Sequence, residues 1–283
     1  MMKPKLVKET CIAGAVIDRT IKLVRGSVNG RTRKARSNPT PEAVQKNNDR
    51  IAIKNLTRVI NANFGPGDTH LVLTYRERVD EETAIKEVRK FRRNLQRDCK
   101  AAGIELKMVW ATELDKRAHH HIIINTTEVS MDMIRKRWKH GNPKLLPLDN
   151  ERNYWRLADY IIKETNEAFR DPAKALKQRY SCTRNLERPV IVRQEAQARD
   201  FNINNIRPVK GYEIDEDSIQ VYENPITGVP TLYYTMVATD AKPRVAGRWR
   251  GGKQTRKVKE ESFSRFEELR QTEFADLFEW EFA

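Results

Sequence analysis

His119, His120 and His121 stand in a row ahead of Ile122, Ile123 and Ile124. An aliphatic run of this kind favours an extended strand, in which alternate side chains share a face. His119 and His121 then point together, and His120 points away. Two imidazoles two residues apart on a strand can grip one metal ion, leaving positions open for further ligands and substrate. Glu113 lies six residues before His119 across a short turn, where a hairpin would bring its carboxylate to the same ion. The competing reading is a histidine cluster that only packs. His70 and His140 read as ordinary histidines of that kind.

The second candidate is Tyr160, in Tyr160-Ile161-Ile162-Lys163. At about 100° per residue, Asn153, Arg156, Tyr160, Lys163, Glu164 and Glu167 share one polar helix face. Tyr154, Trp155, Leu157, Ala158, Ile161 and Ile162 occupy the apolar side. Tyr154 therefore reads as core, whereas Tyr160 stands among charges. A tyrosine hydroxyl is a weak nucleophile at its ordinary pKa, so a cation must help it. Lys163, one turn on, can steady a phenolate or orient a phosphate. A nearby metal would polarise a scissile phosphate and stabilise its developing charge. The competing reading is a tyrosine on a solvated helix face.

Composition narrows the partner. Lys plus Arg total 54 against 39 for Asp plus Glu, giving a net charge of +15. Such a charge draws polyanions, and nucleic acid is the common one. Charged residues make up 33% of the chain and hydrophobic ones 39%, so a core is expected together with solvated arms. Cys11, Cys99 and Cys182 form no CxxC pair and read as reduced thiols of a cytoplasmic protein. No long apolar run or signal-peptide core is visible, and no membrane partner is expected.

The elements that must position these residues follow from periodicity. Thr40-Pro41 opens a helix to about Ala62 that would bury Ile51, Leu56, Val59 and Ile60. His70 to Tyr75 is a strand. Asp80 caps a helix to about Ala102 with Ile85, Val88, Phe91, Leu95 and Cys99 at helical spacing, and Gly103 ends it. Strands follow at residues 104–110 and 119–125, then helices from Met131 and over residues 150–169. Residues 218–223 and 231–237 flank a hairpin turn. The order predicts an α+β fold with an antiparallel, about five-stranded sheet flanked by helices. Three parts are expected: a basic arm and helix (1–66), the main domain (67–237), and a basic Gly/Arg segment followed by an acidic amphipathic helix (238–283). Arg31, Arg33, Lys34, Arg36, Arg248 and Arg250, with Arg156 on the tyrosine helix, are candidate DNA contacts, and Trp249 could stack on a base.

Leu71-Val72-Leu73-Thr74-Tyr75 resembles the first motif of the rolling-circle replication initiators of phages and plasmids, with Leu73, Thr74 and Tyr75 as its core. His119-His120-His121 resembles their histidine–hydrophobe–histidine motif, with His120 in the middle place, and Tyr160-Ile161-Ile162-Lys163 resembles their tyrosine motif. The segment 177–186 resembles a stretch that follows the tyrosine helix in phage-type initiators. The three motifs occur in the family's order; in conjugative relaxases of the same HUH superfamily the tyrosine usually precedes the histidines. The resemblance implies a five-stranded antiparallel sheet with packed helices. It also implies His119 and His121 as ligands of Mg²⁺ or Mn²⁺, with Glu113 as acidic ligand, and Tyr160 as nucleophile. The implied activity is nicking and rejoining of single-stranded DNA at a replication origin through a 5′-phosphotyrosine. No GxxxxGK[ST] phosphate loop occurs, so a host helicase and polymerase would complete replication. The alternatives are a transposase or relaxase with the same chemistry, and a non-catalytic nucleic-acid-binding protein whose histidines are structural.

Overall fold

Strand and helix signals alternate along the chain, and the computed structural model follows them through residues 5–24, 42–114, 117–150, 152–171, 176, 178–223 and 228–239, which are the residues described. In chain order the elements are β1 (Lys5–Ala13), β2 (Val16–Val24), α1 (Glu42–Asn63), β3 (Thr69–Thr74) and α2 (Glu81–Ala101). Then come β4 (Met108–Glu113), β5 (His119–Ile124), α3 (Met131–Arg137), β6 (Lys144–Pro147) and α4 (Trp155–Arg170). The chain closes with β7 (Ser181–Cys182), β8 (Ile191–Glu195), β9 (Tyr212–Glu223) and β10 (Pro230–Ala238). The fold is α+β, with two antiparallel five-stranded sheets in the orders β8-β1-β2-β10-β9 and β6-β3-β5-β4-β7.

Each sheet belongs to its own unit. One unit comprises Met1–Ile12, Val16–Val44 and Val190–Ala283; the other comprises Ala13–Ala15 and Gln45–Pro189. The boundaries expected from the sequence lie instead at 66 and 237. Two findings account for the difference. Residues 5–24, expected within a basic arm, form a hairpin. The β9–β10 hairpin, expected beside the histidine strands, pairs through β10 with β2, with Leu232 opposite Ile21. In this first unit Glu9 is buried between Lys22 at 3.0 Å and Arg193 at 2.9 Å. Burial pushes its carboxyl up, but the two cations outweigh that and hold it below its ordinary value.

The second unit carries the candidate residues, and β5 is its central strand. One face of the sheet, with Leu71, Leu73, Met108, Ile122 and Ile124, packs on Ala84, Val88, Phe91, Leu95 and Cys99 of α2 and on Ile134 of α3. The opposite face, with Val109, Ala111 and Ile123, packs on Leu56, Val59 and Ile60 of α1 and on Ala158, Ile161 and Ile162 of α4. The aliphatic run of β5 is buried on both faces because helices cover both. As expected, Asp80 caps α2, its carboxylate accepting from the Thr83 N–H at 2.8 Å. Gly103 follows the helix at φ +72°, a left-handed conformation that glycine adopts without strain.

Three expectations on burial are corrected. Ile51 is 46% exposed, because it lies about 140° around α1 from Leu56, whereas Ala52 and Ile53 pack inward instead. Trp155 is 38% exposed at the first turn of α4, where its ring leaves the apolar stripe. Ile85 is only partly buried, and Ala84 takes the inward place. Strand β6 carries no clear sequence signal: it has four residues and ends in Pro147, which is tolerated at a sheet edge.

Phe91 is 2% exposed in the α2 core, so Phe91→Ala should cost about 3–5 kcal/mol in urea unfolding. Ile51→Ala should change stability by less than about 0.5 kcal/mol. Equal losses for the two would contradict the assignment of the α1 and α2 faces.

Candidate active site

The candidate site is built by strand register. Glu113 of β4 lies directly opposite His119 of β5, and Ala111 lies opposite His121. On the other side Val72 and Thr74 of β3 lie opposite His121 and His119. Side-chain alternation places His119, His121 and Glu113 on the face shared with α4. Their ligating atoms converge: His119 Nε2 is 3.1 Å from His121 Nε2 and 3.0 Å from Glu113 Oε2, and His121 Nε2 is 3.8 Å from that oxygen. Ligand bonds of about 2.1 Å place neighbouring ligand atoms roughly 3.0–3.4 Å apart in octahedral or tetrahedral sites. The three residues can therefore hold one divalent ion, and a carboxylate with two imidazoles suits Mn²⁺ as well as Zn²⁺.

Burial tunes the donors. His121 is 1% exposed, and desolvation, followed by the proximity of His119 and His70, lowers its pKa to about 3. It is thus a neutral imidazole, the ligating form, across the physiological range.

His70, expected to be an ordinary histidine, joins the site. Its Nε2 lies 3.2 Å from His121 Nδ1, and the two rings stack with centroids 5.4 Å apart. If His121 Nε2 presents a lone pair towards Glu113 and His119, the ring proton sits on Nδ1 and is donated to His70 Nε2. This is the arrangement by which an outer partner fixes the tautomer of a ligating histidine. Only the pairing of β3 with β5 reveals it; no linear spacing joins residue 70 to residue 121.

His120 points to the other face, as its place in the strand requires. It is fully buried, with Nε2 2.9 Å from Tyr75 Oη and Nδ1 3.0 Å from Thr112 Oγ1. Desolvation and its histidine neighbours lower its pKa to about 3. Of the first-motif residues, Leu73 and Tyr75 lie in the α2 core, and burial raises the Tyr75 hydroxyl above its usual range. Thr74 points to the metal-site face, and its backbone carbonyl accepts from Trp138 Nε1 at 3.0 Å.

Helical phase separates the two tyrosines. Tyr154, immediately before α4, is 5% exposed, donates to the Asp149 carbonyl at 3.1 Å, and is pushed up to about 12 by burial. Tyr160 is 44% exposed and meets His121 edge-on at 5.2 Å between centroids and His70 at 6.4 Å. Partial burial, then Glu164 and Glu113, raises its pKa. Without a compensating cation its hydroxyl stays protonated. Lys163 lies one turn along, but its ammonium sits 2.7 Å from Asp159 Oδ2 on the solvent side, not against Tyr160. Arg156 is exposed on the same helix. Arg31, Arg33, Lys34, Arg36, Arg248 and Arg250, with Trp249 and the acidic segment, lie outside the described residues.

Residues 68–165 match a family model for replication-associated proteins of the ORF2 kind. The matched stretch runs from the start of β3 into α4 and contains His70, Glu113, His119, His121 and Tyr160, pointing to a role in DNA replication. No curated protein and no solved structure matches the chain. Among the described residues no helix is long and apolar enough to cross a membrane.

Mn²⁺ at about one hundred times its Kd should stabilise the protein by about 2.7 kcal/mol, read as a higher Tm, and Glu113→Gln or His121→Ala should remove the shift. His70→Leu should weaken Mn²⁺ binding by about 10–100-fold, and His70→Gln, which keeps an acceptor, should recover part of it. Equal affinities for wild type and His70→Leu would remove His70 from the site.

In metal-free protein, unfolded imidazoles take up protons near pH 6.5, whereas the folded ones resist to about 4 for His70 and about 3 for His120 and His121. The unfolded state binds more protons across that window, so stability falls as pH drops below about 6.5. With chelator present, the urea midpoint should be lower at pH 5 than at pH 7.5; an unchanged midpoint would contradict the buried neutral imidazoles.

Proposed function

We propose that this chain is a metal-dependent HUH-type endonuclease that nicks and rejoins single-stranded DNA through Tyr160, initiating rolling-circle replication of a phage, plasmid or integrated element. The observation that carries the reading is the convergence of Glu113, His119 and His121 beside the α4 tyrosine that faces them, inside the replication-associated match. Tyr154, at the start of the same helix, is instead buried in the core and bonded to a backbone carbonyl.

A divalent ion, Mg²⁺ or Mn²⁺, held by Glu113, His119 and His121 would polarise the scissile phosphate and stabilise its developing negative charge. Tyr160 Oη attacks phosphorus, a tyrosine–phosphate bond forms, and the bond to the 3′-oxygen breaks. The tyrosine proton leaves and the departing oxygen ends as a 3′-hydroxyl. The broken phosphodiester is replaced by another phosphate diester, so the reverse attack by a 3′-hydroxyl rejoins the strand without an external energy source. The edges of His70 and His121 fix the tyrosine ring, and the raised pKa of Tyr160 keeps the nucleophile protonated until positive charge is present. Lys163 and Arg156, on the solvent side of α4, are placed to meet phosphates of the bound strand. Duplex unwinding and extension of the 3′ end fall to a host helicase and polymerase.

With Mn²⁺ and a labelled pool of single-stranded oligonucleotides, wild-type protein should form a covalent adduct that mass spectrometry maps to Tyr160. Tyr160→Phe should reduce cleavage at least about 10³-fold, whereas Tyr154→Phe should retain the adduct. An adduct on Tyr154 or Tyr180 would replace the nucleophile. Equal cutting by wild type and Tyr160→Phe would end the covalent mechanism, and no cutting by either would favour a non-catalytic binding protein.

A further inference from the structure

Helix α2 exposes Lys86, Arg89, Lys90, Arg93, Arg97 and Lys100. At about 100° per residue they fall within an arc of roughly 100°, diametrically opposite the buried Ala84, Val88, Phe91, Leu95 and Cys99. No acid stands in that arc between Lys86 and Lys100. Glu87 lies off the arc, between His140 at 3.0 Å and Lys90 at 3.4 Å.

A solvated helix face ordinarily interleaves charges of both signs. Here Lys86 and Lys90, Arg89 and Arg93, and Arg93 and Arg97 are like charges four apart, an arrangement that destabilises a helix. Favourable interaction with the helix dipole covers only the last turn, and these cations begin more than three turns earlier. Nothing in the fold of α2 requires them, so their physical rationale lies in a partner of opposite charge.

We propose that this face of α2 is a second nucleic-acid surface, one that tracks the phosphates of duplex DNA. The stripe extends over about 21 Å, roughly the axial length of six base pairs. A duplex fits better than a single strand because none of the exposed α2 residues is aromatic, and single-strand sites stack bases on aromatic rings. A membrane surface fits worse still: the apolar face of α2 is committed to the core. The sheet lies between this face of the unit and Tyr160, since α2 packs on the side opposite His119, His121 and Glu113. The two surfaces therefore meet different stretches of polymer, with the duplex beside an origin on α2 and the exposed strand at the tyrosine. That division of labour rests on the proposed nicking role; the duplex surface itself does not.

The test uses the full chain with four substitutions together: Lys86→Gln, Arg89→Gln, Arg93→Gln and Arg97→Gln. Binding to a labelled 30-base-pair duplex is followed by fluorescence anisotropy across a salt series with chelator present, so no cleavage is needed. The salt slope, log Kobs against log salt, should become shallower by about 0.9 for each phosphate no longer neutralised, or roughly three to four units in all. Affinity for a 12-nucleotide single strand and any nicking of it should be unchanged, and Tm should not fall, because like-charge repulsion is relieved. An unchanged duplex slope overturns the proposal. So does a parallel loss for duplex and single strand, or a loss confined to binding of anionic vesicles.

Discussion

Everything at the candidate site depends on the two-residue period of β5 and its place at the centre of its sheet. Because successive side chains face opposite ways, three consecutive histidines are divided between two environments. His119 and His121 meet Glu113, and His120 is enclosed by Tyr75 and Thr112. Antiparallel pairing with β4 puts Glu113 opposite His119, and pairing with β3 brings His70 to the back of His121. A one-residue slip of β5 would turn its two ligands into the α2 core and bring His120 out alone. The isoleucines that follow guard against this slip, being buried on both faces of the sheet.

The same packing that fixes the ligands sets their charge. Burial favours neutral imidazoles at His70, His120 and His121, while Glu113 and Glu164 oppose ionisation of Tyr160. The donors are thus ready for a cation, and the neighbouring hydroxyl is unready without one. Ion and nucleophile are coupled by electrostatics as well as by position. On the outer face of the same unit α2 carries a concentrated positive field, so opposite sides of one sheet bear complementary features for handling a polyanion.

The parts of this arrangement that repeat locally are legible in the sequence. The 3.6-residue period of α2 with Asp80 and Gly103 at its ends, the alternation across His119 to His121, and the phase that separates Tyr160 from Tyr154 each depend on neighbours in the chain. What is not legible depends on distant pairing. Strands β1 and β2 interleave Lys8, Arg19 and Lys22 with their apolar residues, so they resemble a basic arm until β10 supplies a partner more than two hundred residues away. His70 carries no signal of its own because its role comes from register against β5. Lys163 has the right helical phase, but a carboxylate four residues back, Asp159, holds its ammonium.

The central claim is that one ion is held by Glu113 and by two of the three consecutive histidines. Pulsed electron paramagnetic resonance of the Mn²⁺-loaded protein, with the histidines labelled with ¹⁵N, counts the coordinated imidazole nitrogens directly. Two nitrogens, falling to one in His119→Ala and staying at two in His70→Gln, is the predicted result. Three coordinated nitrogens, or none, would contradict the site.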